Sequence, residues 1–234
     1  MKKRNTALPE PSAHFLTKAY AIFAKDLRLE LRTKYALNTI LMFGVISLVA
    51  VSFSLGQGGL APRLLAAVFW IIMFFAAMAG LAHVFVREEE AGTSMALRLS
   101  ADPDAVYVGK FAFNLTLLSI MAVIIAPLFF VFTDAPSEHW GLFVLVLMLG
   151  VVALCAGTTL VAAIVSKASV KGALFAVLSL PIFLVPLWWL IAASDKALTG
   201  GGFAAMSSEL IGLVSYCVVM VTLSVLLFKV VWLE

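Results

Sequence analysis

The chain has 234 residues, 63% of them hydrophobic and only 12% charged, with a formal net charge of +3 and a mean hydropathy of +1.10. A soluble domain carries roughly 45–50% apolar and about 25% charged residues, so there is too little charge here to coat a water-facing surface. A disordered chain needs low hydrophobicity and is excluded too, and two cysteines, Cys155 and Cys217, allow no disulfide framework. What remains is an integral membrane protein.

The chain opens Met-Lys-Lys-Arg, as signal peptides do, but Pro9, Glu10 and Pro11 stand where an apolar segment would follow. The N-terminus is expected to be retained. Residues 14–35 predict a helix lying along the membrane. Leu16, Tyr20, Phe23, Leu27 and Leu31 recur at helical spacing, with Lys18, Lys25, Arg28 and Arg32 opposite. Such a helix buries its apolar face at the headgroup boundary and offers its bases to anionic lipid. A plain positive-inside anchor explains the same pattern. Asp26 and Glu30 flank the stripe, and pairing with Lys34 or with a protein partner would account for them.

Crossing a bilayer core of about 30 Å takes about 20 apolar residues. Six stretches qualify, at 39–55, 64–86, 111–132, 141–166, 172–193 and 210–232. None alternates in the way a transmembrane β-strand would, so the expected fold is an all-α bundle of six spans preceded by the interfacial helix. Residues 1–35 form the tail and surface helix, and 36–234 the transmembrane unit. Lysine and arginine fall overwhelmingly on one side: only Arg63 and Lys196 lie on the other. The positive-inside rule then puts both termini in the cytoplasm.

The loop between the second and third spans, 87–110, is the most informative stretch. Arg87, Glu88, Glu89 and Glu90 extend the second span, Gly92 permits a sharp bend, and Thr93 or Ser94 can cap a new helix. That short helix would show Met95, Leu97 and Leu99 with Arg98 among them, and Asp102-Pro103 would end it. Apolar residues held in the cytoplasm favour a docking element over a solvated connector. In the fifth span Pro181 and Pro186, followed by Trp188 and Trp189, suggest a broken helix lining a cavity. A bent helix with its tryptophans in the aromatic belt is the simpler reading.

No span carries a charge at its middle, where a coupling-ion site would need one. No GxxxxGK[ST] loop is present, and neither HExxH nor GxSxG occurs, so no catalytic residue is assigned and ATP would have to be hydrolysed elsewhere. His14, His83 and His139 read as polar residues at membrane edges rather than as haem ligands, although histidine is a usual axial ligand. Cys155, Cys217 and the Ala153/Gly157 pair read as helix-packing residues. No metal site and no nucleic-acid partner is expected.

Four segments together resemble a known family. They are Lys25-Asp-Leu-Arg-Leu-Glu-Leu-Arg-Thr-Lys34, Arg87-Glu-Glu-Glu-Ala-Gly-Thr93, Tyr107-x-Gly-Lys110 and Leu180-Pro-x-x-x-x-Pro186. Over nearly its whole length the chain is similar to the cytochrome c maturation protein B (CcmB) family, with one departure, a proline that comes late after the short helix, in Ser100-Ala-Asp-Pro103. The acidic-Gly-Thr loop followed by Gly-Lys is common to ABC-2-type permeases, whereas the Asp-Leu-Arg-x-Glu-x-Arg segment and the paired prolines are more specific. The resemblance implies an ABC-2-type permease subunit of a bacterial inner membrane that serves cytochrome c maturation. It implies no cofactor on this chain, haem as cargo, and ATP on a separate ATPase subunit. It also implies a second permease copy, a haem-handling membrane protein and a haem chaperone as partners. The residues alone also admit an exporter of another amphiphile (a lipid, glycan or drug) or a non-transporting membrane scaffold.

Overall fold

The structure is a computed structural model that describes residues 11–55, 60–81, 88, 92–136, 138–165 and 171–233. The described residues form eight α-helices and one 3₁₀ turn, with no strand among them. In chain order they are α1 (Pro11–Thr33), α2 (Tyr35–Leu55), α3 (Pro62–Leu81), α4 (Ser94–Ser100), α5 (Pro103–Thr133), α6 (Trp140–Val165), α7 (Lys171–Leu198), the 3₁₀ turn Phe203–Met206 and α8 (Ser207–Leu233). Six of them, α2, α3 and α5 to α8, are long and apolar enough to cross a membrane.

Helix α6 is the axis of the bundle. It packs against α3, α5, α7 and α8, and its side chains from Val151 to Val165 are nearly all buried. Beside it Phe69, Trp70, Phe129 and Phe143 meet edge to face or tilted, with ring centroids 5.1–5.6 Å apart. Aromatic pairs of this geometry add to the area they bury. The Trp70 indole N–H donates to the Ser194 hydroxyl at 2.8 Å, which satisfies a polar group that hydrocarbon could not. Gly157 receives the Phe183 ring of α7, the close approach that the small-residue pair allowed. The outer helices turn large side chains outward, such as Phe53 on α2 and Leu184 on α7.

Two expectations change at the elements. Helix α7 is not broken: it runs continuously from Lys171 to Leu198 through Pro181 and Pro186. Pro186 cannot donate to the carbonyl four residues before it, that of Ile182. The Tyr216 hydroxyl of α8 donates to that oxygen at 3.1 Å instead. A neighbouring helix has supplied the missing donor, which is how proline is accommodated in membrane helices.

The second change concerns Pro103, which starts α5 rather than only ending α4. Proline suits the first helical position because its absent N–H would be unpaired there anyway. At 1.5 Å per residue the 31 residues of α5 span about 46 Å, so its first turns stand beyond a core of about 30 Å.

Candidate coupling site

Helix α1 is sequestered by α5 on one face, but not by the face that hydropathy picks out. The buried positions are Ala19, Ile22, Asp26 and Glu30, whereas Leu16, Tyr20 and Leu31 of the predicted stripe are exposed. Of that stripe only Phe23 and Leu27 lean on the core. The more apolar face is left exposed, outside the contact with the bundle. The protein side carries both carboxylates.

Those carboxylates organise the site. Lys110, on α5, is almost wholly buried, and its Nζ lies 3.2 Å from Asp26 Oδ2 and 3.3 Å from Glu88 Oε1. Lys25 Nζ lies 3.3 Å from Asp26 Oδ1 and is hydrogen-bonded to the same Glu88 oxygen. The second Glu88 oxygen accepts from the Thr93 hydroxyl at 2.8 Å, and the Thr93 N–H donates to the Glu88 carbonyl at 3.0 Å. Two ammonium groups and two carboxylates thus neutralise one another where α1, the segment before α4, and α5 meet. Buried charge is tolerated only when paired in this way.

The electrostatics follow from that geometry. Burial pushes the Glu88 carboxyl up, but the charge of Lys110 and the hydrogen bonds from Lys25 and Thr93 outweigh it and hold it down at about 2. Burial works to lower Lys25, yet Glu88 and Asp26 together keep it above its ordinary value.

Glu30 does a different job. Its Oε1 accepts from the Leu37 N–H at 2.9 Å, so a carboxylate of α1 caps the first turn of α2. Negative charge at a helix N-terminus is favourable both as an acceptor and against the helix dipole. Lys34, in the left-handed region at φ 52, makes the elbow between the two helices. Of the two carboxylates flanking the stripe, Glu30 caps α2 and Asp26 pairs with Lys110 and Lys25.

The short helix α4 forms as expected after Gly92, which has φ +65, although the Thr93 side chain makes no cap hydrogen bond and serves Glu88 instead. Met95 and Leu99 are exposed, Leu99 by 84%. Leu97 points inward, joining Ile22, Val106, Tyr107 and Phe228, so it is not part of the displayed surface. It is the anchor. Arg98 is half-buried beneath the helix. Two further ion pairs grip the turn that follows: Lys18 with Asp102 at 3.1 Å from α1, and Lys229 with Asp104 at 3.0 Å from α8.

Arg28 and Arg32 lie exposed on α1. His83, Arg87, Glu89 and Glu90 fall outside the described residues. Pro181 and Pro186 belong to α7 and take no part in this cluster. Sequence reasoning assigned no ion-pair role to Lys110, Lys18, Asp104 or Lys229. A lysine inside a stretch otherwise fit to span the bilayer is the one signal that could have marked Lys110.

These features define a six-span, all-α membrane protein in which α1 and Glu88 are clasped to the head of the third span. A family model described as CcmB protein matches residues 17–230, and the chain belongs to that family. It is also similar to the heme exporter protein B of Rhodobacter capsulatus, with 28% identity over 169 residues, 71% of this chain and 78% of the relative.

Proposed function

We propose that this chain is the membrane subunit of an ABC transporter that handles haem for cytochrome c maturation. Membership of the CcmB family, with a relative named a heme exporter protein, supports the haem assignment. The observation that carries the coupling role is α4, a helix that turns Met95 and Leu99 to water while Leu97 roots it in the bundle. Solvent-exposed apolar side chains on a fixed support are what a protein partner recognises. The partner is a cytoplasmic ATPase subunit, whose cleft receives residues 88–104. Closure of the ATPase dimer displaces α4, and the ion pairs to α1, α5 and α8 pass the displacement into the bilayer as a shift between two packed arrangements.

An ABC unit has two membrane halves, so a second permease copy completes the assembly. It sits in a bacterial inner membrane with both termini cytoplasmic, as the charge bias requires. The stroke serves to release a haem-loaded chaperone from a neighbouring haem-handling membrane protein.

The test is deletion of this chain followed by measurement of covalently attached haem on c-type cytochromes. Selective loss is expected, restored by the intact chain and not by the double variant Met95→Asp, Leu99→Asp at equal membrane abundance. Unchanged haem attachment after deletion would overturn the haem assignment and leave an exporter of another amphiphile. Full rescue by the double variant would overturn docking through α4 and leave a membrane scaffold.

A further inference from the structure

The Gly109-Lys110 pair at the head of the third span has no part in the docking surface, yet it lies where α1 comes close to the α5 backbone. A Cβ built on Gly109 would stand 2.7 Å from the Ala19 carbonyl oxygen and 2.9 Å from Ile22 Cβ, so only glycine lets the α1 backbone come this near. One residue on, Lys110 reaches Asp26 of α1 and Glu88 of the loop at once. Its side chain is only 1% exposed, so almost no water remains to solvate the ammonium group, and the carboxylates stand in for it. Tyr107 continues the same face and packs on Phe111 and on Phe228 of α8.

We infer that Gly109 and Lys110 form a keyed joint: glycine sets the distance of α1 from α5, and the Lys110 charge locks α1 and the Glu88 segment to the third span so that the three move as one body. Lys110 is then a positioning residue for the transport stroke, and in that respect the inference rests on the transport reading above. The lock depends on charge, not on bulk. Lys110→Met tests this directly, because it keeps the length of the side chain and removes only its charge, whereas Lys110→Arg keeps the charge.

The joint is measured first without reference to transport, as the distance distribution between spin labels at Tyr20→Cys on α1 and Val131→Cys at the far end of α5. Both positions are exposed, and Cys155 and Cys217 are replaced by alanine. A single narrow distribution is expected in the parent, a broad or displaced one in Lys110→Met, and a narrow one again in Lys110→Arg. A parent-like distribution in Lys110→Met, or one in Lys110→Arg as broad as in Lys110→Met, overturns the charge lock. Should Lys110→Met fail to insert, Gly109→Ala keeps all four charges and must displace α1; a parent-like distribution there overturns the joint.

Haem attached to c-type cytochromes is read in parallel at equal membrane abundance. Lys110→Met should lower it by at least about tenfold, the scale expected when a buried pair loses one partner, and Lys110→Arg should recover most of it. A broadened joint with undiminished haem attachment overturns the positioning role while the joint stands. If deletion of the whole chain leaves haem attachment unchanged, the transport reading has failed, and the distances alone decide the joint.

Discussion

At Gly92 the backbone takes φ +65, which proline, fixed near −65°, cannot reach. Gly92→Pro should therefore displace α4 from the line of Glu88 and Thr93 and abolish haem attachment while the protein still inserts. Undiminished attachment in that variant would remove the bend from the mechanism. Glu88 makes a second residue-scale prediction, this time about pH. Its carboxyl is held at about 2 against an ordinary 4.5, so its ionisation stabilises the fold above pH 4.5 and that contribution fades as pH falls toward 2. Melting in detergent should show no Glu88-dependent change between about pH 8 and 5. Below that, the parent should lose stability faster than Glu88→Gln. Parallel pH curves for the two proteins would contradict the clustered geometry.

Helix α7 shows how one element depends on its neighbour. Tyr216→Phe should cost about 1 kcal/mol, the usual worth of a hydrogen bond to an otherwise unpaired carbonyl. In a Pro186→Ala background the backbone N–H gained at that position can serve the Ile182 carbonyl, and the same Tyr216 change should then cost little. A double-mutant cycle on melting in detergent gives the coupling directly, and equal costs in both backgrounds would show that the tyrosine serves something else.

The two prolines were visible in the sequence, but the hydroxyl that closes the gap comes from 34 residues away, and no local pattern records it. The surface helix was legible as a helix for the same reason that its docked face was not. Periodicity finds the most apolar stripe, and on a membrane that stripe belongs to lipid as readily as to protein. Asp26 and Glu30 look misplaced until Lys110 and the Leu37 N–H are brought to them. Pro103 ends one pattern and begins another, and only the structure shows that it does both. The six spans were legible because bilayer thickness fixes their length whatever they pack against.

For the whole molecule, α4 and the 3₁₀ turn Phe203–Met206 lie at opposite ends of the bundle in a chain that crosses the bilayer six times. Leu99→Cys and Phe203→Cys, each at an exposed position, should therefore react with a membrane-impermeant maleimide from opposite faces. Leu99→Cys should label only after the cells are permeabilised, and Phe203→Cys in intact cells. The native Cys155 and Cys217 are buried and should give little background. Labelling of both variants in intact cells would contradict the six-span topology.

The clasp between α1 and α5 also has a history in time. Asp26 and Lys110 are 84 residues apart, so at about 5–20 residues per second the ribosome delivers the lysine roughly 4–17 s after the aspartate. During that interval α1 lacks its partner on α5. Asp26 and Glu88 are both already made when Lys110 appears, so the lysine meets its carboxylates as the third span settles. This corner of the protein is consequently completed only when the third span arrives, and slower synthesis between the two residues prolongs the time that α1 spends undocked.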